Sequence, residues 1–189
     1  MTTATISQDH RPPDPAAAPP ALSLRGLTKR YGERVAVDGL TIDVPAGVVA
    51  GFVGPNGAGK TTTMAMLLGL VAPSDGDGTV LGAPLADPAA YLGRVGALIE
   101  GPAFYPALSG ARNLAVLATA GGHDTAQIPR LLDLVGLAER ADDRVRRYSF
   151  GMKQRLGIAA ALLGDPRLLI LDEPINGLDP AGVHEMRGL

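Results

Sequence analysis

The most informative stretch of the sequence is the glycine-rich run Gly54-Pro55-Asn56-Gly57-Ala58-Gly59-Lys60-Thr61. Thr62 follows it directly. A continuous apolar segment at residues 48–53 precedes the run and is typical of a buried parallel strand. A helical pattern follows, from Lys60 to about Leu70. A strand, a glycine-rich turn and a helix in this order match the P-loop pattern and predict an α/β fold.

The residue types in this loop suit a triphosphate. Gly57 and Gly59 allow the backbone to bend so that successive N–H groups face an anion, and the helix N-terminus adds positive partial charge. Lys60 is placed to reach the β and γ phosphates, and Thr61 offers a hydroxyl group to Mg²⁺. A simple connecting turn would have no packing use for a lysine at this point. Residues 54–62 are therefore predicted to bind a nucleoside triphosphate with Mg²⁺.

A second apolar run ends in two carboxylates. Residues 168–171 read as a buried strand, and Asp172 and Glu173 follow it directly. Asp172 emerges where hydrated Mg²⁺ needs a partner, and Glu173 follows where it would orient and deprotonate a water molecule that attacks the γ phosphate. The P-loop makes this interpretation more plausible than an ordinary acidic turn.

The rest of the chain divides by its pattern. Residues 1–20 are rich in proline and alanine and are predicted to be a disordered tail. Residues 21–45 alternate with a period near two, which predicts antiparallel β structure, and residues 108–164 have a helical period.

Composition excludes several classes of protein. The 189 residues carry a net charge of −2, so no overall basic field indicates a nucleic-acid partner. Cysteine is absent, which excludes disulfides and thiolate metal sites. No apolar run reaches the roughly 18 residues that span a bilayer, and the N-terminus has no signal-peptide pattern. We expect a soluble, intracellular type of chain.

Residues 148–155, Tyr-Ser-Phe-Gly-Met-Lys-Gln-Arg, lie between the P-loop and the acidic strand. They resemble the signature motif of the ATP-binding-cassette (ABC) ATPases, usually written LSGGQ. Residues 176–180, Asn-Gly-Leu-Asp-Pro, resemble the D-loop of the same family, and Tyr31 stands where the family has an aromatic residue that stacks on adenine. Together with the P-loop and the acidic strand, these motifs cover nearly all of residues 21–189.

The resemblance implies a P-loop α/β core with an antiparallel β subdomain and an inserted helical subdomain at about residues 101–165. It implies ATP and Mg²⁺ as cofactors and a head-to-tail dimer with a second ABC ATPase subunit. Each ATP would then contact Ser149 and Gly151 of the other subunit, and Asp179 of the D-loop would also lie at this site. Ser149 is suited to this position because a serine can cap the helix that starts near Gly151.

Two departures from the usual motifs point to one branch of the family. Phe150 and Met152 stand where the usual signature has a glycine and a glutamine. This form, together with residues 98–109, is similar to the bacitracin-type antibiotic exporters. Glu100 occupies the position of the Q-loop glutamine, where a carboxylate is able to hold Mg²⁺ or water. The resemblance implies a separate integral membrane permease that docks near residues 100–109 and the helical subdomain, and a peripheral location on the cytoplasmic, inner face of the cell membrane.

A third departure concerns the switch histidine of the family. It is expected roughly 30 residues beyond the acidic pair, whereas the sequence ends at Leu189 and His184 is too close to Glu173 to take this role. From sequence we expect a C-terminally truncated cassette that binds ATP but hydrolyses it slowly or not at all. Steady turnover that Glu173→Gln abolishes would contradict this expectation.

The sequence favours the ATPase subunit of an exporter for a drug, a peptide antibiotic or a lipid. Two alternatives remain open at this stage. One is a non-transport ABC ATPase that acts on DNA or ribosomes, which usually has tandem cassettes or basic arms. The other is a nucleotide-binding regulatory module without turnover. The sequence does not determine the cargo, because the permease would select it.

Overall fold

The computed structural model of the chain describes residues 3–6 and 19–174. The chain divides into two compact units, an N-terminal unit, Met1–Gly93, and a C-terminal unit, Arg94–Leu189. The strands of the N-terminal unit are β1 (Thr3–Ile6), β2 (Leu22–Tyr31), β3 (Arg34–Val44), β4 (Ala50–Val53), β5 (Asp75–Val80) and β6 (Ala83–Pro84), and its helix is α1 (Lys60–Leu67). In the C-terminal unit, the strands are β7 (Val95–Leu98) and β8 (Leu168–Leu171), and the helices are α2 (Gly110–Gly121), α3 (Ile128–Leu134) and α4 (Phe150–Ala161).

The main sheet of the N-terminal unit has the strand order β3-β2-β5-β6, and all of its strand pairs are antiparallel. This confirms the antiparallel β structure that the sequence predicts for residues 21–45. Leu22 and Leu24 of β2 lie two residues apart and are both buried, so they cover one face of the sheet. Val80 of β5 and Met66 of α1 are likewise buried, so the unit has a core of its own.

Two sequence predictions about the N-terminal unit are wrong in detail. Residues 3–6 form a strand inside the tail that was expected to be disordered, and β1 pairs antiparallel with β4. The run at residues 48–53 therefore does not form a buried parallel strand among the described residues, and Val49 and Val53 are exposed. An apolar run specifies that a strand can be buried, but the covering elements decide whether it is.

The C-terminal unit contains a parallel pair of strands. β7 and β8 are in register from Val95 opposite Leu168 to Leu98 opposite Leu171, so their carboxyl ends lie at the same edge. The three α-helices lie within residues 101–165, and their apolar side chains form one core around Leu114, Leu132 and Leu156. The helical period of residues 108–164 is confirmed.

Helix α4 packs closely on β7. A Cβ atom at Gly157 would lie 3.0 Å from a methyl carbon of Leu98 and 3.1 Å from Cβ of Pro102. A Cβ atom at Gly96 would collide with the backbone oxygen of Ala161. Since later residues of α4 meet earlier residues of β7, the helix runs antiparallel to the strand.

Within the described residues, no helix combines the length and the apolar character that a membrane crossing requires.

Candidate functional site

The glycine-rich loop forms a tight turn at the N-terminus of α1. Gly57 and Gly59 have φ angles of 81° and 85°, in the left-handed region that favours glycine. The backbone N–H of Ala58 donates a hydrogen bond to the carbonyl of Pro55 at 3.1 Å. Helix α1 begins at Lys60, with Gly59 as its N-cap, and Thr61 and Thr62 are half-buried in its first turn. The backbone therefore has the bend that the sequence predicts.

Gly59 is restricted by its surroundings as well as by its φ angle. A Cβ atom there would collide with the backbone oxygen of Ala36 and would lie 2.8 Å from Cγ2 of Val37, both on β3. A Cβ atom at Gly57 would meet no atom within 4 Å. The loop is therefore pressed against β3 at Gly59 and open at Gly57.

Lys60 folds back over the loop. Its Nζ donates hydrogen bonds to the carbonyl oxygens of Gly54 at 2.9 Å and Pro55 at 3.3 Å. The side chain is half-buried, and these neutral carbonyls orient the ammonium group without neutralising its charge. The positive charge thus lies at the loop, and the ammonium group has three N–H bonds that it can donate to anionic oxygens.

A groove of about 930 Å³ runs beside the loop within the N-terminal unit. One wall is residues 35–42 of β3, and the other includes Pro55, Asn56, Gly57 and Ala58. Tyr31 is the last residue of β2 and pairs with Arg34, the first residue of the strand β3 that forms the first wall.

The Tyr31 ring is available for stacking. Its side chain is 50% exposed, and Nζ of Lys29 lies 5.0 Å from the ring centroid. Lys29 is itself fixed, because its Nζ donates to the carbonyl of Ala72 at 2.7 Å. A fixed ammonium group near the ring restrains Tyr31 by a cation–π contact.

The predicted acidic residues collect at one edge of the C-terminal unit. The N–H of Asp172 donates to the carbonyl of Leu98 at 2.8 Å, which extends the β7–β8 ladder by one residue. Glu173 follows, and Glu100 lies two residues beyond Leu98, so all three carboxylates follow the carboxyl ends of the two strands. Glu100 and Glu173 are exposed and have left-handed φ angles of 58° and 46°, which are uncommon for glutamate.

The donor types suit Mg²⁺ rather than a softer metal. Asp172 and Glu100 offer carboxylate oxygens and Thr61 a hydroxyl oxygen, and hard oxygen ligands are those that Mg²⁺ prefers. Among the described residues, no three acidic, histidine or cysteine side chains form a metal-binding group by themselves. Thr61 belongs to the N-terminal unit and the two carboxylates to the C-terminal unit.

Ser149 caps α4, as the sequence predicts. Its Oγ accepts a hydrogen bond from the N–H of Met152 at 3.2 Å, and the helix begins at Phe150. Gly151 lies in the first turn, and the Phe150 side chain is 54% exposed. The N-terminus of α4 therefore presents an exposed aromatic residue beside the positive end of the helix dipole.

Two anchoring residues have no role in the sequence-based analysis. Tyr148 is buried, and its hydroxyl donates to the carbonyl of Arg140 at 2.7 Å; burial raises the pKa of this phenol above its ordinary value. Asn113 is also buried, and its Oδ1 accepts from the N–H of Tyr105 at 2.8 Å while its Nδ2 donates to the carbonyl of Tyr105 at 3.1 Å. The only sequence signal for Asn113 is a polar residue within a helical apolar pattern.

The predicted D-loop at residues 176–180, with Asp179, and His184 lie outside the described residues.

A strand, a glycine-rich loop with two left-handed glycines and a lysine at the first position of a helix define the class of P-loop nucleotide-binding proteins. Within this class, residues 37–176 match the ABC transporter family. The chain belongs to the ABC transporter family, which confirms the assignment made from the signature motif.

Relatives agree with this assignment. The uncharacterized ABC transporter ATP-binding protein YhcH of Bacillus subtilis (strain 168) is 46% identical over 168 residues, which are 88% of this chain and 55% of that protein. The bacitracin transport ATP-binding protein BcrA of Bacillus licheniformis is 48% identical over 165 residues, 86% of this chain and 54% of that protein. The chain spans about half the length of the curated relatives it matches.

A solved structure described as the ATP binding subunit of an ABC transporter is similar with a TM-score of 0.73 and 32% identity, and the match covers 88% of this chain and 71% of that one. The fold class predicted from sequence, an ABC ATPase α/β core, is thereby confirmed.

Proposed function

We propose that the chain is the ATP-binding and ATP-hydrolysing part of an ABC exporter subunit, which energises transport through a separate integral membrane permease. The observation that carries this proposal is the geometry of the P-loop in a member of this family. Gly57 and Gly59 bend the loop, and Lys60 lies over it with its charge uncompensated by the two carbonyls that hold it. This arrangement favours a polyanion.

ATP would lie along the N-terminal unit. The adenine would stack on the exposed ring of Tyr31, and the phosphates would be held by the backbone N–H groups of residues 54–62. Lys60 would exchange the carbonyl oxygens of Gly54 and Pro55 for phosphate oxygens. The exchange is favourable because a charged acceptor makes a stronger hydrogen bond than a neutral carbonyl.

Mg²⁺ would be held by Thr61, Asp172 and Glu100, and when bound it neutralises charge that develops on the phosphates. Asp172 would keep its place through the hydrogen bond from its N–H to Leu98, at the end of the β7–β8 ladder. Glu173 would orient the attacking water and accept its proton. Its exposed position leaves room for that water.

A second copy of the ABC ATPase would complete each site in a head-to-tail dimer. Ser149 and Gly151 would face the γ phosphate bound by the partner, and Asp179 would lie at the same interface. The N-terminus of α4 supports this, since the first turn of a helix directs backbone N–H groups and positive partial charge outward. The exposed ring of Phe150 would be covered in the dimer.

The permease would dock on the segment from Glu100 to Ser109, at the inner, cytoplasmic face of the membrane. Tyr105 supports this, because its side chain is 62% exposed while its backbone is fixed by Asn113. A rigid loop that presents an aromatic side chain is typical of an interface anchor. No nucleic-acid partner is proposed. The name of BcrA makes a peptide antibiotic such as bacitracin the first cargo to test.

The experiment that tests the nucleotide site compares Lys60→Ala with Arg130→Ala, which removes an equal charge from the exposed side of α3. Binding of a fluorescent ATP analogue with Mg²⁺ is measured for both variants. Loss of a hydrogen bond to a charged group costs about 1.5–3 kcal/mol, so Lys60→Ala is expected to weaken binding roughly 10- to 150-fold. Arg130→Ala is expected to bind as the unaltered chain does. Equal affinities for all three proteins would contradict the proposal.

A further inference from the structure

A buried side-chain oxygen on α4 has no hydrogen-bond partner. Gln154 is 5% exposed, and within the described residues its Oε1 accepts no hydrogen bond. Buried polar side chains are almost always paired, so an unpaired one needs an explanation. Neither the proposed binding of ATP nor the packing of the core uses this oxygen.

The position of Gln154 on the helix shows what lies near it. Gln154 shares one face of α4 with Gly157 and Ala161, because residues that are three or seven positions apart lie on the same side of an α-helix. This face packs on β7, with Ala161 against Gly96 and Gly157 against Leu98 and Pro102. Gln154 is one helical turn closer to the N-terminus of α4 than Gly157. It therefore lies beyond the carboxyl end of β7. Helical side chains lean toward the N-terminus of their helix, which carries the amide further in the same direction.

The turn at the carboxyl end of β7 has unused donors. Glu100 and Gly101 both have left-handed φ angles, 58° and 86°. Among the hydrogen bonds of the described residues, none is donated by the backbone N–H of either residue. A glutamate in this conformation is strained, and such strain is concentrated at active sites, ligand clamps and switch regions.

We propose that Gln154 is a positioning residue that fixes the turn of Glu100 and Gly101 when nucleotide is bound. In that state its Oε1 accepts a hydrogen bond from a backbone N–H of the turn, which satisfies an unpaired donor and an unpaired acceptor together. This inference rests on the proposed function, because ATP with Mg²⁺ near Glu100 is what moves the turn.

The consequence is a direct link, within the C-terminal unit, between the turn that contains Glu100 and the helix α4. Glu100 carries the candidate Mg²⁺ ligand, and α4 carries Ser149 and Gly151 at its N-terminus. One hydrogen bond from a backbone N–H of the turn to Oε1 of Gln154 would make the position of the turn depend on the position of α4. Pro102 and Tyr105, which follow the turn, belong to the proposed permease contact, so docking would act on the same bond.

The test measures amide hydrogen exchange of peptides that contain Glu100 and Gly101, with and without ATP and Mg²⁺. Gln154→Met keeps the length of the side chain and removes the acceptor. Gln127→Met is the matched control, because Oε1 of Gln127 already accepts from the N–H of Gly164 at 3.0 Å. In the unaltered chain and in Gln127→Met, nucleotide is expected to slow exchange in the turn about tenfold or more. In Gln154→Met this slowing is expected to be lost.

A second measurement separates positioning from stability. Without nucleotide, Gln154→Met is expected to unfold at the same temperature as the unaltered chain or higher, because no resting hydrogen bond is removed. Slowing that survives in Gln154→Met, or a clear fall in its unfolding temperature, would overturn the inference. Binding of the fluorescent ATP analogue is measured in parallel. Binding without any slowing in the unaltered chain refutes the role of Gln154 alone, whereas absence of binding refutes the proposed function and this inference with it.

Discussion

Gly57 and Gly59 allow steric crowding in the P-loop to be separated from backbone strain. Both have left-handed φ angles near 80°, but only Gly59 faces an obstacle, the backbone oxygen of Ala36. An alanine in the left-handed region costs roughly 1–2 kcal/mol. Overpacking against a fixed neighbour adds roughly 1–3 kcal/mol. Gly57→Ala is therefore expected to destabilise the chain by about 1–2 kcal/mol, and Gly59→Ala by about 2–5 kcal/mol.

Urea unfolding followed by circular dichroism measures both variants against the unaltered chain. For a chain of this size, each kcal/mol corresponds to a fall in melting temperature of roughly 2–4 °C, so thermal scans provide an independent check. Gly59→Ala must also displace the loop from β3, and it is expected to lose binding of the fluorescent ATP analogue, whereas Gly57→Ala retains part of it. Equal destabilisation by the two substitutions would refute the steric part of the reasoning, since only strain would then contribute.

Other contacts give predictions of their own. Asn113→Ala leaves the N–H of Tyr105 without a partner and is expected to lower the free energy of unfolding by about 2–3 kcal/mol, with faster amide exchange at Tyr105 as the second readout. Tyr31→Ala is expected to weaken ATP binding roughly fivefold and Tyr31→Phe hardly at all, because the ring and not the hydroxyl stacks; a large loss in Tyr31→Phe would contradict this. Since burial raises the pKa of Tyr148 in the folded state, its contribution to stability is complete below its ordinary pKa of 10.0 and is lost as pH rises through the raised value. Tyr148→Phe is therefore expected to flatten the fall in stability above about pH 10, measured by urea unfolding at several pH values; an unchanged slope would exclude Tyr148 as its source.

The sequence predicts best those features that local rules determine. The turn at Gly57 and Gly59 and the cap at Ser149 follow from glycine chemistry and from the hydrogen bond of a serine to a helix N-terminus, so a few neighbouring residues were enough. The parallel partner of β8 lies about 70 residues away in sequence at β7, so no local pattern predicts that pairing.

The features that the sequence does not predict depend on distant partners. The apolar residues at 48–53 have the composition of a buried strand, yet Val49 is exposed, because burial is a property of the surroundings. Asn113 looks like an ordinary polar residue in a helix, and its role depends on the path of the chain at Tyr105. Gln154 is similar, since nothing in its neighbours along the chain indicates a buried acceptor without a donor.

The two glycines between α4 and β7 also limit how this unit is able to move. At Gly96 and Gly157 the helix and the strand lie so close that even a methyl group at either position would not fit without displacement. Sliding of α4 along β7 would drive side chains into this contact. The helix and the strand are therefore expected to move together as one rigid body. A displacement of the residues that follow β7 would then displace the N-terminus of α4 as well, with no change in how the helix packs on the strand. A cross-link between α4 and β7 would leave this coupled displacement unchanged.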